Sequence, residues 1–195
     1  MAFLSSLVEP SGVPMLSGSR IYLRTPQMND YAQWSSLREA SRAFLVPWEP
    51  LWAYDDLTRH AYRARMKRYG KDILDDVAYP FFLFLNDGSR LAGGLTLSNV
   101  RRGVAQTATM GYWMGEPYVR RGYMTDALKL AIAFAFGHLG LHRLEAACLP
   151  RNVASIALLR TCGFAEEGYA RRYLRINGEW QDHLLFAMLA EDRKS

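Results

Sequence analysis

Gly111-Tyr112-Trp113-Met114-Gly115-Glu116-Pro117-Tyr118-Val119-Arg120-Arg121-Gly122-Tyr123-Met124-Thr125-Asp126 runs from a strand, through a basic glycine turn, into a helix. Thr125 reads as the helix cap, and the helix as running from Asp126 to Leu139, with Ala127 to Phe136 apolar nearly all round apart from Lys129. A helix apolar on every side is a buried one. Its first N–H groups lack intrahelical partners and sit at the positive end of the helix dipole; Gly122 permits close backbone approach, and Arg120 and Arg121 add charge. That is a seat for a pyrophosphate or a nearby phosphate. The plainer reading is a solvated arginine pair ahead of an ordinary core helix. The chain contains neither G-x-x-x-x-G-K-S/T nor G-x-G-x-x-G after a strand, so nucleotide hydrolysis and dinucleotide redox lose their usual handles.

Working outward, Ile21-Tyr22-Leu23-Arg24 reads as a first strand, and Tyr31, Trp34 and Leu37 recur at helical spacing on a helix starting near Asn29. Another helix is expected over 55–70. Between them, Phe44-Leu45-Val46-Pro47-Trp48-Glu49-Pro50 reads as an ordered loop, because each proline disfavours α conformation in the residue before it. Phe81 to Leu85 is apolar throughout and ends in Asn86-Asp87-Gly88, a tight reversal; Leu91 to Val100 and Gln106 to Met114 continue an antiparallel meander. Leu144 to Leu149 is a further strand. Asn152 caps a helix through Cys162, Gly163 suits the left-handed position after it, and Tyr173–Ile176 with Leu184–Leu189 make a final hairpin near Asn177-Gly178. The pattern is α+β, with one domain over 20–190. Residues 1–19, rich in Ser, Gly and Pro, are expected to be a flexible arm, and 191–195 a tail.

A length of 195 residues suits one domain, and a chain half apolar and 22% charged is neither disordered, collagen-like nor a coiled coil. The formal charge of +5 favours an anionic ligand or partner. No run approaches a membrane span, and Met1-Ala2-Phe3-Leu4-Ser5 lacks the cationic start of a secretory signal, so a soluble cytoplasmic protein is expected, with no membrane partner. Cys148 and Cys162 alone give no material for a disulfide framework or a four-thiolate zinc site. His138 and His142 have the spacing of a metal pair, but Gly140 intervenes and zinc needs more ligands, so no metal is expected.

The turn Val119-Arg120-Arg121-Gly122-Tyr123-Met124 resembles the Gln/Arg-x-x-Gly-x-Gly/Ala turn of the GNAT family of acetyl-CoA-dependent N-acetyltransferases. Val119 stands at the usual polar position and Met124 at the usual small one, so the grip leans on backbone amides and the two arginines. Asn152-Val153-Ala154-Ser155, Cys162-Gly163-Phe164, Glu166-Glu167-Gly168-Tyr169 and Ile176-Asn177-Gly178-Glu179-Trp180-Gln181-Asp182-His183 resemble the closing segment of RimJ/RimL-type ribosomal-protein alanine acetyltransferases. Phe44 to Pro50, Leu97-Ser98-Asn99-Val100 and Arg102-Gly103 are similar to the RimJ branch in particular. The likeness spans about 20–189. It implies a GNAT-like mixed, mostly antiparallel central sheet flanked by helices.

The resemblance also implies roles. The strand before the turn splays from its neighbour, and Trp113, Met114 and Gly115 receive the pantetheine arm of acetyl-CoA; the N–H groups of Arg120, Arg121, Gly122, Tyr123, Met124 and Thr125 hold its pyrophosphate. Asn152 and Ser155 reach the thioester end, and Asn152 can cap its helix as well, because capping uses one side-chain oxygen and leaves the amide donors free. A backbone N–H near Met114 is placed to stabilise developing oxygen charge. The tyrosine acid of many relatives falls at Leu159, so Ser155 is the substitute acid; one relative's carboxylate base falls at Leu174, which leaves Glu49, Glu116 and Glu145. Glu49, in the Pro-Trp-Glu-Pro loop expected over the substrate mouth, ranks first as substrate binder or base.

Proton affinity helps choose the acceptor. An α-amino group is roughly one-tenth to one-sixth neutral at pH 7, whereas lysine is neutral only about once in 2,500, a difference of about 3–4 kcal/mol. A site without an obvious strong base therefore suits a protein N-terminus, read here as an alanine of a ribosomal protein. Two alternatives stay open: a small amine such as an antibiotic or polyamine, and a non-catalytic acyl-CoA- or ribosome-binding module. Trp48, Trp52 and Tyr54 read first as packing residues, with a peptide grip as the alternative. Arg63, Arg65, Lys67, Arg68 and Lys71 read first as a solvated helix face; contact with ribosomal RNA is the sharper alternative. A monomer and a homodimer both fit.

Overall fold

The computed structural model describes residues 12–192, so the expectations for 1–11 and 193–195 lie outside the described residues. The chain builds one eight-stranded sheet in the order β1-β2-β3-β4-β5-β6-β8-β7. Its strands are β1 (Leu16–Ser17), β2 (Ile21–Arg24), β3 (Tyr79–Leu85), β4 (Leu91–Arg101), β5 (Thr107–Met114), β6 (Arg143–Cys148), β7 (Ala165–Ile176) and β8 (Glu179–Leu189). Every neighbouring pair is antiparallel except β5 with β6, which is the mixed, mostly antiparallel sheet expected. The helices are α1 (Tyr31–Ala40), α2 (Arg42–Leu45), α3 (Arg59–Leu74), α4 (Tyr123–Ala133) and α5 (Val153–Thr161).

The continuous apolar run of β3 is explained by burial on both sides. Side chains alternate along a strand: Phe81, Leu83 and Leu85 join the core that α4 and α5 complete, while Phe82 and Phe84 join Trp34 of α1 and Tyr62 of α3. The sheet is therefore sandwiched, α1 and α3 on one face and α4 and α5 on the other. α4 presents Ala127, Leu128, Ala131 and Ile132 to the core. It passes directly into a single π turn, Phe134–His138, in which the His138 ring stacks on Phe134.

Three boundaries differ from the sequence reading. Residues 12–19 are not a free arm: Leu16 and Ser17 pair with Leu23 and Tyr22, and Val13 and Leu16 are buried, since two apolar side chains against a sheet edge outweigh a Ser/Gly-rich composition. α4 starts at Tyr123, with Gly122 rather than Thr125 at its cap, because Gly122 is already left-handed (φ 78°) and turns the chain straight into the helix. The last hairpin runs Ala165–Ile176 against Glu179–Leu189, well beyond its expected ends. β7 is an edge strand that is mostly exposed, so it lacks the apolar alternation by which strands are recognised. Its turn, Asn177 (φ 45°) and Gly178 (φ 84°), has the paired left-handed residues of a tight hairpin.

Candidate active site

β5 and β6 keep register at Thr107, Ala108 and Thr109 against Arg143, Leu144 and Glu145. Beyond Thr109 they part: β5 follows β4 as far as Met114 opposite Gly93, while β6 follows β8 as far as Cys148 opposite Leu184. One edge of β5 is thereby left open. Gly115 N donates to Ala92 O at 2.8 Å, and the alternation of an antiparallel ladder turns the Met114 N–H the opposite way, into the gap.

The gap opens into a cavity of about 560 Å³. Its floor is Tyr112, Trp113 and Met114 of β5; one wall is Arg120 and Gly122 to Thr125; another is Asn152, Ala154, Ser155 and Leu158 of α5; and Phe44, Leu45, Trp48 and Glu49 close the far end. Among the residues expected at the site, Gly115 and Arg121 do not line it. Gly115 packs against Leu37, and Arg121 is exposed while its carbonyl accepts from Arg20 Nη1 at 3.0 Å.

The turn before α4 is shaped to hold an anion. Arg120 (φ 59°) and Gly122 (φ 78°) are both left-handed, a conformation that costs a non-glycine residue roughly 1–2 kcal/mol. No side chain caps α4, so the first amides of the helix remain directed at the cavity wall. Arg20, which the sequence reading passed over, braces this turn: besides the Arg121 carbonyl it binds Asp126 through Nε at 2.9 Å and lies over the Tyr123 ring. Its position just before β2, about a hundred residues from the turn it braces, left no local signal.

On α5, Asn152 caps the helix as expected, its Oδ1 accepting from Ser155 N at 3.1 Å, and its amide donors remain free for the cavity. Ser155 Oγ lies 2.6 Å from the Tyr112 hydroxyl. Burial pushes the Tyr112 hydroxyl far above the ordinary tyrosine value, against the opposing pull of Ser155, so Tyr112 stays protonated at any physiological pH. Either hydroxyl of this pair can donate; when Tyr112 does, the serine proton is left for another acceptor. Burial likewise raises the thiol of Cys148, which touches Ser155. Leu159 is fully buried and Leu174 lies exposed on β7, so neither position carries an acid or base.

At the other end, Glu49 receives a two-pronged ion pair from Arg38, Nη1 to Oε1 and Nη2 to Oε2 at 2.7 Å each, and a third bond from Trp52 Nε1 at 2.7 Å. A carboxylate offers roughly four lone-pair sites, so about one remains. The Arg38 guanidinium lies over Trp52 at 4.1 Å and Trp113 at 5.0 Å, and its buried Nε has no partner among the described residues. Asn177 N donates to Glu49 O at 2.8 Å, tying this loop to the last hairpin. Glu145, on the interior strand β6, is engaged by Arg143 and Arg101, and Glu116 is exposed at the start of the turn. His138 and His142 do not converge: His142 faces Glu191 at 3.4 Å.

The profile of a family described as an acetyltransferase (GNAT) domain matches residues 20–165. The chain is 36% identical to the probable N-acetyltransferase YjcK of Bacillus subtilis, covering 91% of this chain and 98% of that protein. It is 33% identical to the [ribosomal protein uS5]-alanine N-acetyltransferase of Escherichia coli over 93% of this chain and 95% of that one. Among solved structures, Mycobacterium smegmatis RimJ in complex with CoA-disulfide superposes with a TM-score of 0.86 at 34% identity, covering 90% of this chain and 84% of that one.

Proposed function

This chain belongs to the GNAT acetyltransferase family and is an N-acetyltransferase, and from that premise we propose that it moves the acetyl group of acetyl-CoA to the α-amino group of a protein, an N-terminal alanine of a ribosomal protein. The observation that carries the reading is the parting of β5 from β6 beside an uncapped helix N-terminus, which together offer backbone groups along one continuous wall. These residues fit a carrier with an extended amide-bearing arm and a diphosphate. The amides of Gly122 to Thr125 with Arg120 take the diphosphate, and Met114 and Asn152 take the arm. When bound, the thioester supplies an activated acyl carbon and a thiolate leaving group.

Around that group the chain's own residues divide the work. The Met114 N–H faces the place where oxygen charge develops, a contribution worth several kcal/mol when preorganised. Ser155, held by Asn152 and Tyr112, donates its proton toward the departing sulfur; thiols ionise near 8.5, so a strong acid is not required. Glu49 keeps about one lone-pair site for an N–H of the acceptor while Arg38 and Trp52 fix its direction. With three donors already on it, Glu49 serves better as a binder than as a free base, and a proton lost to water suffices for an α-amine. The uS5-alanine acetyltransferase among the relatives supports the choice of acceptor, and with it a cytoplasmic setting.

Incubation with acetyl-CoA and peptides bearing free Ala, Ser or Met termini, beside peptides whose only amine is lysine, tests the proposal. Mass spectrometry is expected to place acetyl on the α-amine of the Ala peptide. Exclusive lysine labelling would overturn it.

A further inference from the structure

Arg59, Arg63, Lys67 and Lys71 follow one another at i, i+4 intervals along α3, and all four are exposed. Successive members climb about 6 Å along the axis, so the row is about 18 Å long. The other side of the helix is anchored by fully buried Tyr62 and by Met66 and Ile73 against the sheet. Arg65 leaves the basic face altogether: it pairs with Asp56 at 2.7 Å and covers the Trp34 ring. Like charges four apart repel along a helix. Lys71 is relieved by Asp75 and Arg59 leans on the Tyr31 ring, but Arg63 and Lys67 make no ion pair among the described residues. The middle of the row is thus left uncompensated among the described residues.

A second feature lies on the same side. Gly70 is three residues beyond Lys67, well inside α3, where glycine is a poor helix former compared with alanine. Among the described residues a Cβ placed there would meet nothing within 4 Å, so none of their packing asks for glycine. What glycine does provide is a bare stretch of backbone against which another molecule can lie close.

We propose that this row seats the sugar-phosphate backbone of RNA. Exposed cations stepped about 6 Å apart along one helix, the middle two without an ion pair among the described residues, complement a polyanionic backbone. The ridge meets backbone rather than base edges, so binding is independent of sequence and weakens with salt as counterions are released. The choice of RNA over other polyanions rests on the ribosomal reading above, since RNA is the polyanion that surrounds such an acceptor.

The test is fluorescence anisotropy of the full chain against a short RNA duplex, a DNA duplex of the same sequence and polyglutamate, over about 50–200 mM salt. RNA is expected to bind with a log–log salt slope of about −3.6, as about four neutralised phosphates on a duplex require. Arg63→Gln, Lys67→Gln and Lys71→Gln together are expected to weaken binding more than tenfold and to flatten the slope by about 2.7, with peptide acetylation unchanged. Gly70→Ala is expected to raise the melting temperature yet weaken RNA binding. RNA binding by the triple variant equal to the parent's, or equal capture of DNA or polyglutamate, overturns the proposal. Peptide acetylation is read separately, so loss of the RNA result leaves the acceptor reading to its own assay.

Discussion

Tyr112 and Ser155 meet at 2.6 Å across the cavity floor, and substitutions on either side of that bond separate a proton donor from the group that aims it. Ser155→Ala removes the donor and is expected to lower kcat by about tenfold to a hundredfold, at the lower edge of general acid catalysis because a thiolate leaves readily. Tyr112→Phe keeps the buried ring and removes only the aiming bond, so a fall of a few-fold is expected, with the acceptor KM unchanged. Steady-state kinetics on the alanine peptide check both; a Ser155→Ala enzyme with the parent kcat removes serine from the mechanism. Glu49→Gln acts through stability as well as binding. It leaves Arg38, 8% exposed, with one neutral oxygen in place of a paired carboxylate, and a loss of about 2–3 kcal/mol is expected, below the cost of stripping a fully buried pair. For a chain of this size that is a fall of roughly 5–10 °C in melting temperature, measurable by calorimetry. Adding Arg38→Met to Glu49→Gln should recover part of it, since no charge is then left unpaired, while the raised acceptor KM persists.

At the scale of the element, α4 carries the argument through its beginning. Gly122→Asp places a carboxylate at the positive end of the helix, in a left-handed position where a Cβ would already lie 3.1 Å from Arg20 Nη2. Acetyl-CoA affinity by titration calorimetry is expected to fall more than tenfold with the circular dichroism spectrum unchanged; unaltered affinity would dislodge the pyrophosphate from this turn. The helix was legible in the sequence because its apolar stretch can only be buried, and the turn because a glycine follows two arginines. The exact start was not, since Thr125 is a good cap by type and only the backbone angles show that Gly122 has already turned the chain. The Arg38–Glu49 pair was hidden for a different reason. Its members are eleven apart across the break between α1 and α2, and nothing local says that a helical arginine reverses onto the following loop. Tyr112 and Ser155 stand forty-three residues apart, brought together only by the parting of β5 and β6. The edge strand β7 escaped because exposed strands do not show their period.

Over the whole molecule, the titrating groups that burial perturbs lie on both faces of the sheet, and they set the pH range in which the fold holds. Tyr62 under α3 and Tyr112 under α5 are pushed upward by burial, and Tyr79, at the start of β3, is pushed up to about 12 by burial and by its bond to Asp76. Unfolded tyrosine ionises near 10. A group raised in the folded state favours folding fully below the unfolded value and loses that contribution as pH climbs through the folded one, so stability should fall away between about pH 10 and 12. The acid side works in the opposite sense. Arg102 lowers Asp76, Arg143 lowers Glu167 and Tyr169 lowers Asp182, so their contribution is present above about pH 4 and is lost below it. Of the two limbs the alkaline one should be steeper, because Tyr62 is buried and Tyr79 and Tyr112 are half-buried against the core, while Glu167 and Asp182 lie at the exposed hairpin. Urea midpoints across the range are expected to form a plateau from about pH 5 to 9. Phenolate absorbance should supply the sharper check: Tyr62, Tyr79 and Tyr112, three of the eleven tyrosines, should titrate only as the chain unfolds. If all eleven ionise together near pH 10 while the protein is still folded, the hydroxyls of Tyr62, Tyr79 and Tyr112 are open to water and burial does not hold them protonated.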